Sequence, residues 1–345
     1  MTYHRYTTLI AIAALAVFTA SGTFAQITTE DVGTDKLAQT NFKFLEISVH
    51  PRAAAQSDAM TANEFNSSAA MFYNPAAMGW MENRFSAGFG ITNWIADVTY
   101  NSASAAIRTN YGVFGASLLF ADYGGGIIGT IAATNERGYL EYGDLGLSNP
   151  EPSAMAIGLG YGVGVTDRFS VGGNAKYVLQ DLSDAVVSSD GTTEANSTST
   201  VAFDFGLMYR TGFRSLNLAM SVRNFARELR YVQENFELPL TFNVGVSMNM
   251  LDLTSMDPNV HALRVSLEAE RPRDFSEQVK AGGEYTFMNI VSLRAGYTYP
   301  TDEQGVSFGG GLKYDTSAIG FAADYAFTEF GIFGAVHRMG VSLSF

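Results

Sequence analysis

From Phe85 to the C-terminal Phe345 the chain alternates apolar and polar side chains with a period of two, segment after segment. Successive residues of a β-strand point to opposite faces, so this pattern implies strands with one apolar and one polar face. At 169–180, Phe169, Val171, Ala175, Tyr177 and Leu179 share one face, while Ser170, Asn174, Lys176 and Gln180 share the other. At 201–210, Val201, Phe203, Phe205, Leu207 and Tyr209 oppose Asp204 and Arg210. The same division recurs at 263–270 and 291–299. Fourteen such segments fall at about 83–95, 97–109, 111–123, 153–165, 168–180, 200–211, 214–225, 240–250, 260–271, 276–287, 290–299, 304–314, 318–328 and 334–345. Their number is even, as in bacterial single-chain barrels, and several reach the ~9–11 residues that cross a bilayer at a tilt. The expected fold is all-β: a 14-stranded antiparallel transmembrane barrel with an N-terminal plug or hatch.

The connections between segments alternate in length. Short links stand at Thr109-Asn110, Thr166-Asp167, Thr211-Gly212-Phe213, Met288-Asn289 and Asp315-Thr316, and between them lie longer ones at 124–152, 181–199 and 226–239. Membrane barrels have short periplasmic turns on one rim and longer loops on the other. The link 251–259 breaks the rule, being long where a short one is expected. In the last segment Met339, Val341, Leu343 and the terminal Phe345 alternate with Arg338, Gly340, Ser342 and Ser344. Such an aromatic terminus looks like the signal read by the outer-membrane assembly machinery.

The N-terminus carries Arg5, the apolar run Leu9 to Phe18 and then Thr23-Phe24-Ala25, the layout of a secretory signal peptide over residues 1–25. Its apolar core of about ten residues is too short for a membrane helix. Later stretches do not approach the ~18 consecutive apolar residues of such a helix, and a closed barrel is the other structure that satisfies every backbone group in lipid. Loss of residues 1–25 removes one cation, leaving 20 cations against 34 anions, or −14, a charge that disfavours nucleic acid as a partner. The absence of cysteine excludes disulfides and thiolate chemistry.

Residues 26–82 lack the barrel pattern, are rich in Ala, Ser, Asn and Met, and are broken by Pro51 and Pro75. They are read as a hatch inside a barrel of residues 83–345, with a short helix near 53–71. Charges on the polar faces, including Lys176, Asp204, Arg223, Glu268, Glu270, Lys280, Glu284, Arg294 and Asp324, have both signs and point to the lumen, since cations facing lipid cost roughly 2–4 kcal/mol at midplane. Mixed signs at this density favour a salt-bridged interior over an open pore. Gly305-Val306-Ser307-Phe308-Gly309 matches the serine-hydrolase pattern, but both flanks continue as strand and no elbow exposes Ser307. Gly124, Gly126 and Gly129 have dinucleotide-loop spacing without a following helix pattern. His50, His261 and His337 lack a second ligand at metal spacing. No enzyme, cofactor or metal is expected.

Phe44-Leu45-Glu46-Ile47, Arg52-Ala53-Ala54 and Ser68 through Asn74-Pro75-Ala76 resemble the N-terminal signature of the PorV/PorQ family, which looks like FadL-type barrels. Asp167 to Gly172, Ser221 to Asn224, Leu238 to Thr241, Glu270 to Asp274 and His337 to Phe345 continue the resemblance in order. It implies a non-enzymatic outer-membrane component of type IX secretion that binds the translocon or the C-terminal sorting domain of cargo. Arg52, Asn74, Pro75 and Ala76 then form the hatch motif. Where that family has a glycine-rich run, this chain has Ser48, His50, Ala55, Gln56, Ser57 and Asp58, which resist the backbone conformations glycine permits. The competing expectation is a FadL-like channel for long-chain hydrophobic solutes, gated at Asn74-Pro75-Ala76. In the first reading the long loops make the contact, with Tyr139, Tyr142, Tyr231 and Phe236 as candidate exposed anchors.

Overall fold

The computed structural model describes residues 40–186, 192–231, 234–316 and 318–345. The expected signal peptide, and residues 26–39 of the expected hatch, lie outside them. The strands are β1 (Phe85–Asn93), β2 (Thr99–Thr109), β3 (Gly112–Asp122), β4 (Thr130–Ala132), β5 (Tyr139–Glu141), β6 (Ser153–Gly164), β7 (Phe169–Asp181), β8 (Ala185–Val186), β9 (Thr193–Glu194) and β10 (Ser197–Arg210). There follow β11 (Asn217–Phe225), β12 (Leu229–Tyr231), β13 (Glu234–Phe236), β14 (Thr241–Asn249), β15 (His261–Pro272), β16 (Gln278–Phe287), β17 (Val291–Tyr299), β18 (Ser307–Asp315), β19 (Gly320–Glu329) and β20 (Ala335–Ser344). Fourteen of them close into one antiparallel barrel in the order β1-β2-β3-β6-β7-β10-β11-β14-β15-β16-β17-β18-β19-β20. They coincide in order with the fourteen alternating segments. The remaining strands form three small hairpins, β4-β5, β8-β9 and β12-β13, within the three longest connections.

Closure is made by β1 and β20, with Phe89 opposite Val341, and is completed at the terminus. Phe345 N–H donates to the Phe85 carbonyl at 3.0 Å, Phe85 N–H returns a bond to Phe345 at 2.8 Å, and the two rings stack at 4.9 Å. Met339, Val341, Leu343 and Phe345 all face outward. Along β10, Val201, Phe203, Phe205, Leu207 and Tyr209 are exposed, whereas Ala202, Asp204 and Met208 are buried. The same apolar exterior continues through Leu159, Leu218, Leu267, Leu293, Phe308 and Phe321. Each such side chain forfeits about 1.5–3 kcal/mol if left in water, so a band running around the whole barrel requires lipid.

The inner faces close around residues 40–82. This segment meets all fourteen barrel strands: Ser86 and Ser104 contact Ser68, Gly115 and Gly160 face Met71, and Ser170 binds Ala76. Arg210 and Asn217 bind Glu64, Ser247 binds Ala62, and Glu268 binds Thr61. Glu284 binds Arg52, Gly296 and Gly309 face Gln56 and Ala55, the turn Pro51–Ala54 packs on β19, and Arg338 binds Ser48. A segment in contact with every strand of a ring lies inside it. The Ala-rich stretch holds less α-helix than the sequence suggests. A four-residue turn, Pro51–Ala54, is followed by two 3-10 turns, Ser68–Phe72 and Pro75–Trp80. Here the segment's shape follows its barrel contacts, because turns this short have no helical stability of their own.

Gly172 is one of the points where wall and inner segment approach closely. A Cβ added there falls on the Pro75–Ala76 peptide, whereas one on the adjacent, outward Gly173 meets the Asp204 carbonyl at an ordinary 3.6 Å. Gly172→Val is therefore expected to destabilise the barrel by about 1–3 kcal/mol through overpacking. Gly173→Val should be near neutral. Heat-modifiable migration of the two variants over a temperature series checks this, and equal melting of both would contradict the seat assigned to Pro75.

Candidate functional site

The segment is held by polar pairs whose partners are far apart in sequence. His50 begins the turn Pro51–Ala54: its Nδ1 accepts from the Arg52 N–H at 3.3 Å, and Pro51 occupies the first helical position, where a missing N–H costs nothing. Burial pushes the His50 imidazole down to about 4, against the opposing pull of Asp324, so it is neutral and free to accept. The turn aims Arg52 at Glu284 on β16 in a bidentate pair, Nε to Oε2 at 2.8 Å and Nη2 to Oε1 at 2.7 Å. Arg294 on β17 donates to the same Oε2 at 2.5 Å and to Asp324 on β19 at 2.6 Å. A chain of four alternating charges thus links the inner segment to three strands.

Asn74-Pro75-Ala76 forms a second anchor. The Asn74 Oδ1 accepts from Ala76 N–H at 3.0 Å and so caps the turn Pro75–Trp80, and its Nδ2 donates to the Thr61 carbonyl at 2.8 Å. The Ser170 hydroxyl donates to the Ala76 carbonyl at 2.9 Å. Towards the long-loop rim, Glu270 receives Lys280 at 2.9 Å and Arg223 at 3.5 Å, and Arg223 also donates to the Phe72 carbonyl at 3.1 Å. Lys176 pairs with Asp204 at 2.8 Å beside Asn224, where the β10-β11 register shifts. Arg338 donates to the Ser48 carbonyl at 2.9 Å. Ion pairing of Glu270 and Lys176, and hydrogen bonds from Arg338, offset the desolvation penalty of these buried charges.

Two cavities flank the turn at 48–58. One of about 500 Å³, touched by His50 and Arg52, lies towards the short-turn rim. The other, of about 570 Å³ and touched by Ser48, Ser57 and Asp58, lies towards the long loops. Between them Ser57 and Asp58 adopt left-handed backbone, φ 51° and 60°, in the stretch where the resembling family has glycines. Asp58 N–H bonds the Ala53 carbonyl at 2.9 Å, and its carboxylate takes the Ser48 hydroxyl at 2.5 Å. These bonds offset the cost of placing side chains there.

The candidate loop aromatics are placed differently from one another. Tyr139 is exposed, with the Arg137 guanidinium 5.8 Å above its ring. Tyr142 is buried: its ring covers Gly129, and its hydroxyl accepts from Val186 N–H at 3.0 Å, tying the first long loop to the second. Phe236 is half-buried and stacks on the buried Phe42 at 5.9 Å. The Tyr231 side chain lies outside the described residues. Of the exposed anchors expected from sequence, Tyr142 and Phe236 are instead packing groups, because a loop without its own core recruits its aromatics to make one. Phe42 and Phe44, which stand under the loops, belong to that cluster and carried no periodic signal.

The remaining motifs are structural. Ser307 is buried on β18 and donates to Thr328 at 3.2 Å. Gly124, Gly126 and Gly129 belong to the loop between β3 and β4. His261 and His337 each meet a tyrosine hydroxyl at 2.7 Å.

Residues 155–340 match the family model of the type IX secretion system membrane protein PorP/SprF. No curated protein matches the chain. Among solved structures, the toluene transporter TodX of Pseudomonas putida is similar, with TM-score 0.55 and 13% identity, over 86% of this chain and 98% of its own. The toluene transporter TbuX of Ralstonia pickettii gives 0.54 at 13% identity over 85% and 96%, and a FadL homologue of Pseudomonas aeruginosa gives 0.52 at 12% over 87% and 98%. At these identities the likeness is one of fold, that of outer-membrane FadL-like barrels.

Proposed function

Because the chain belongs to the type IX secretion system membrane protein family PorP/SprF, we propose that it is a non-enzymatic docking barrel of that system, binding cargo or translocon through its long loops. The narrower PorV/PorQ resemblance of its N-terminal motifs is part of this proposal. One observation carries it: the lumen is occupied by a segment that contacts every barrel strand, with Arg52 joined to a set of buried charges paired across the wall. A conduit for hydrophobic solutes needs a continuous apolar path. Here Glu284, Arg294, Glu270 and Lys280 stand where that path would run, and Asn74-Pro75-Ala76 is capped and bonded as an anchor.

Binding falls to the long-loop rim. The β4-β5 hairpin is braced by Tyr142 and by the Arg137–Asp144 pair at 3.0 Å, so it presents Tyr139 from a preformed surface. Exposed Ile127 and Ile128 lie on the same loop. The mainly short opposite rim offers less surface, although the 250–260 link, with exposed Leu253 and Met256, stands out on it.

The reading is tested by co-purification from cells carrying the secretion system. A cargo C-terminal domain should be recovered with the wild type. Recovery should fall at least about tenfold when the β4-β5 hairpin is shortened, since a central aromatic anchor contributes upwards of ~1–2 kcal/mol. Undiminished recovery would move the contact elsewhere. The solute-channel reading, favoured by the likeness to FadL-type barrels, instead requires uptake of a labelled long-chain fatty acid that depends on Asn74 and Pro75.

A further inference from the structure

The cavity on the short-turn side is lined by as many carboxylates as cations, but one guanidinium, that of Arg264, has no direct partner among the described residues. Three guanidiniums, Arg52, Arg264 and Arg294, gather around two carboxylates, Glu284 and Asp324. Arg52 and Arg294 share Glu284, and Arg294 also takes Asp324. Arg264 stands opposite Glu284 in the β15-β16 register and opposite Asn249 across β14. Among the described residues no ion pair or hydrogen bond reaches its side chain, and its Nη1 is shut off from solvent without an acceptor. The next carboxylate on this wall, Glu64, is held by Arg210 at 2.9 Å and Asn217 at 3.1 Å. Glu82 and Lys313 stand exposed at the mouth, Lys313 paired with Asp315.

A half-buried guanidinium without an ion pair or hydrogen bond is unfavourably placed, even with Glu64, Glu284 and Asp252 within electrostatic reach. The pattern is that of a site completed by something else. The cavity, about 500 Å³, is of the size that takes small molecules, and Phe65 and Trp80 supply apolar wall beside the charges.

We propose that this cavity binds the oxyanion group, carboxylate or phosphate, of a small molecule entering from the short-turn rim, with Arg264 as its principal ligand. The planar fork of a guanidinium fits either group bidentately, and an oxyanion supplies Arg264 with the direct partner it lacks among the described residues. Arg294 is committed to its own partners and supplies field rather than a free hydrogen bond. The site is independent of the docking function proposed for the opposite rim.

Trp80 lies on the cavity wall and Trp94 on that of the other cavity, so a Trp94→Phe barrel reports on the site through Trp80 alone. The purified, full-length mature protein in detergent is titrated with acetate and, separately, with inorganic phosphate, ionic strength being held constant with chloride. The expected result is a saturable change in Trp80 emission with one probe or both, and their relative affinity identifies carboxylate or phosphate as the preferred group. Arg264→Gln should weaken it at least tenfold, and Arg264→Lys, which keeps the charge but loses the fork, should fall between. Heat-modifiable migration verifies folding, and Arg264→Lys carries the comparison if the glutamine variant does not assemble. An unsaturable response in the wild type, or equal affinity in the folded Arg264 variants, overturns the proposal.

Discussion

Replacing Glu284 with alanine is expected to cost the barrel about 3–5 kcal/mol and to loosen its inner segment, the figure for removing one partner of a buried pair. Arg52 and Arg294 both donate to this carboxylate, so its loss leaves one guanidinium with no partner and the other with Asp324 alone. The turn Pro51–Ala54 then has no polar hold on β16, and the two cavities on either side of it are free to join. The measurement is paired: urea unfolding followed by heat-modifiable migration, and single-barrel conductance in a planar bilayer. The wild type should conduct little, and Glu284→Ala should unfold at lower urea and show larger, fluctuating currents. Glu284→Gln keeps an acceptor for one guanidinium and should fall between. Unchanged unfolding and conductance in Glu284→Ala would show that the ion chain does not hold the segment.

Deleting Phe345 is expected to reduce the yield of assembled barrel far more than Ser344→Ala does. The residue closes the ring with two backbone hydrogen bonds to Phe85 and a stacked ring, and it ends the outward row Met339, Val341, Leu343. Ser344 pairs across to Ser86 and Gly320 and has little side chain to lose. The deletion therefore removes both the aromatic terminus expected to be read during insertion and the last contacts of the closing seam. The assembled fraction of newly made protein in the outer membrane, scored by heat-modifiable migration, checks this. Equal fractions for the deletion and the wild type would remove any role for the terminus.

The wall was legible because one physical constraint repeats along it. Every outward residue meets lipid and every inward one meets a polar interior, so Val201, Phe203 and Phe205 announce a strand without knowledge of its neighbours. The inner segment offers no such repetition. That Arg52 would find Glu284, 232 positions away, and that Asn74 would cap Ala76 while reaching Thr61, follow from tertiary contact alone. Both were visible as motif residues, but their roles as anchors were not. In the loops, Tyr139 and Tyr142 are three residues apart and chemically alike, yet one is exposed and the other buried over Gly129. Composition cannot separate an aromatic that waits for a partner from one that builds the loop's own core. In sequence Arg264 is indistinguishable from the other lumenal charges, because its lack of a direct partner among the described residues is a matter of geometry.

The barrel, its lumen occupied by the inner segment, is proposed to act at its long-loop rim. The most direct test uses the purified protein in lipid vesicles, with binding of a cargo C-terminal domain and entry of a labelled long-chain fatty acid followed on the same preparation. Saturable binding of the domain is expected, lost when the β4-β5 hairpin is shortened, with fatty-acid entry no faster than in protein-free vesicles. Fatty-acid entry that is accelerated by the wild type and abolished by Asn74→Ala, with no binding of the domain, would contradict that role.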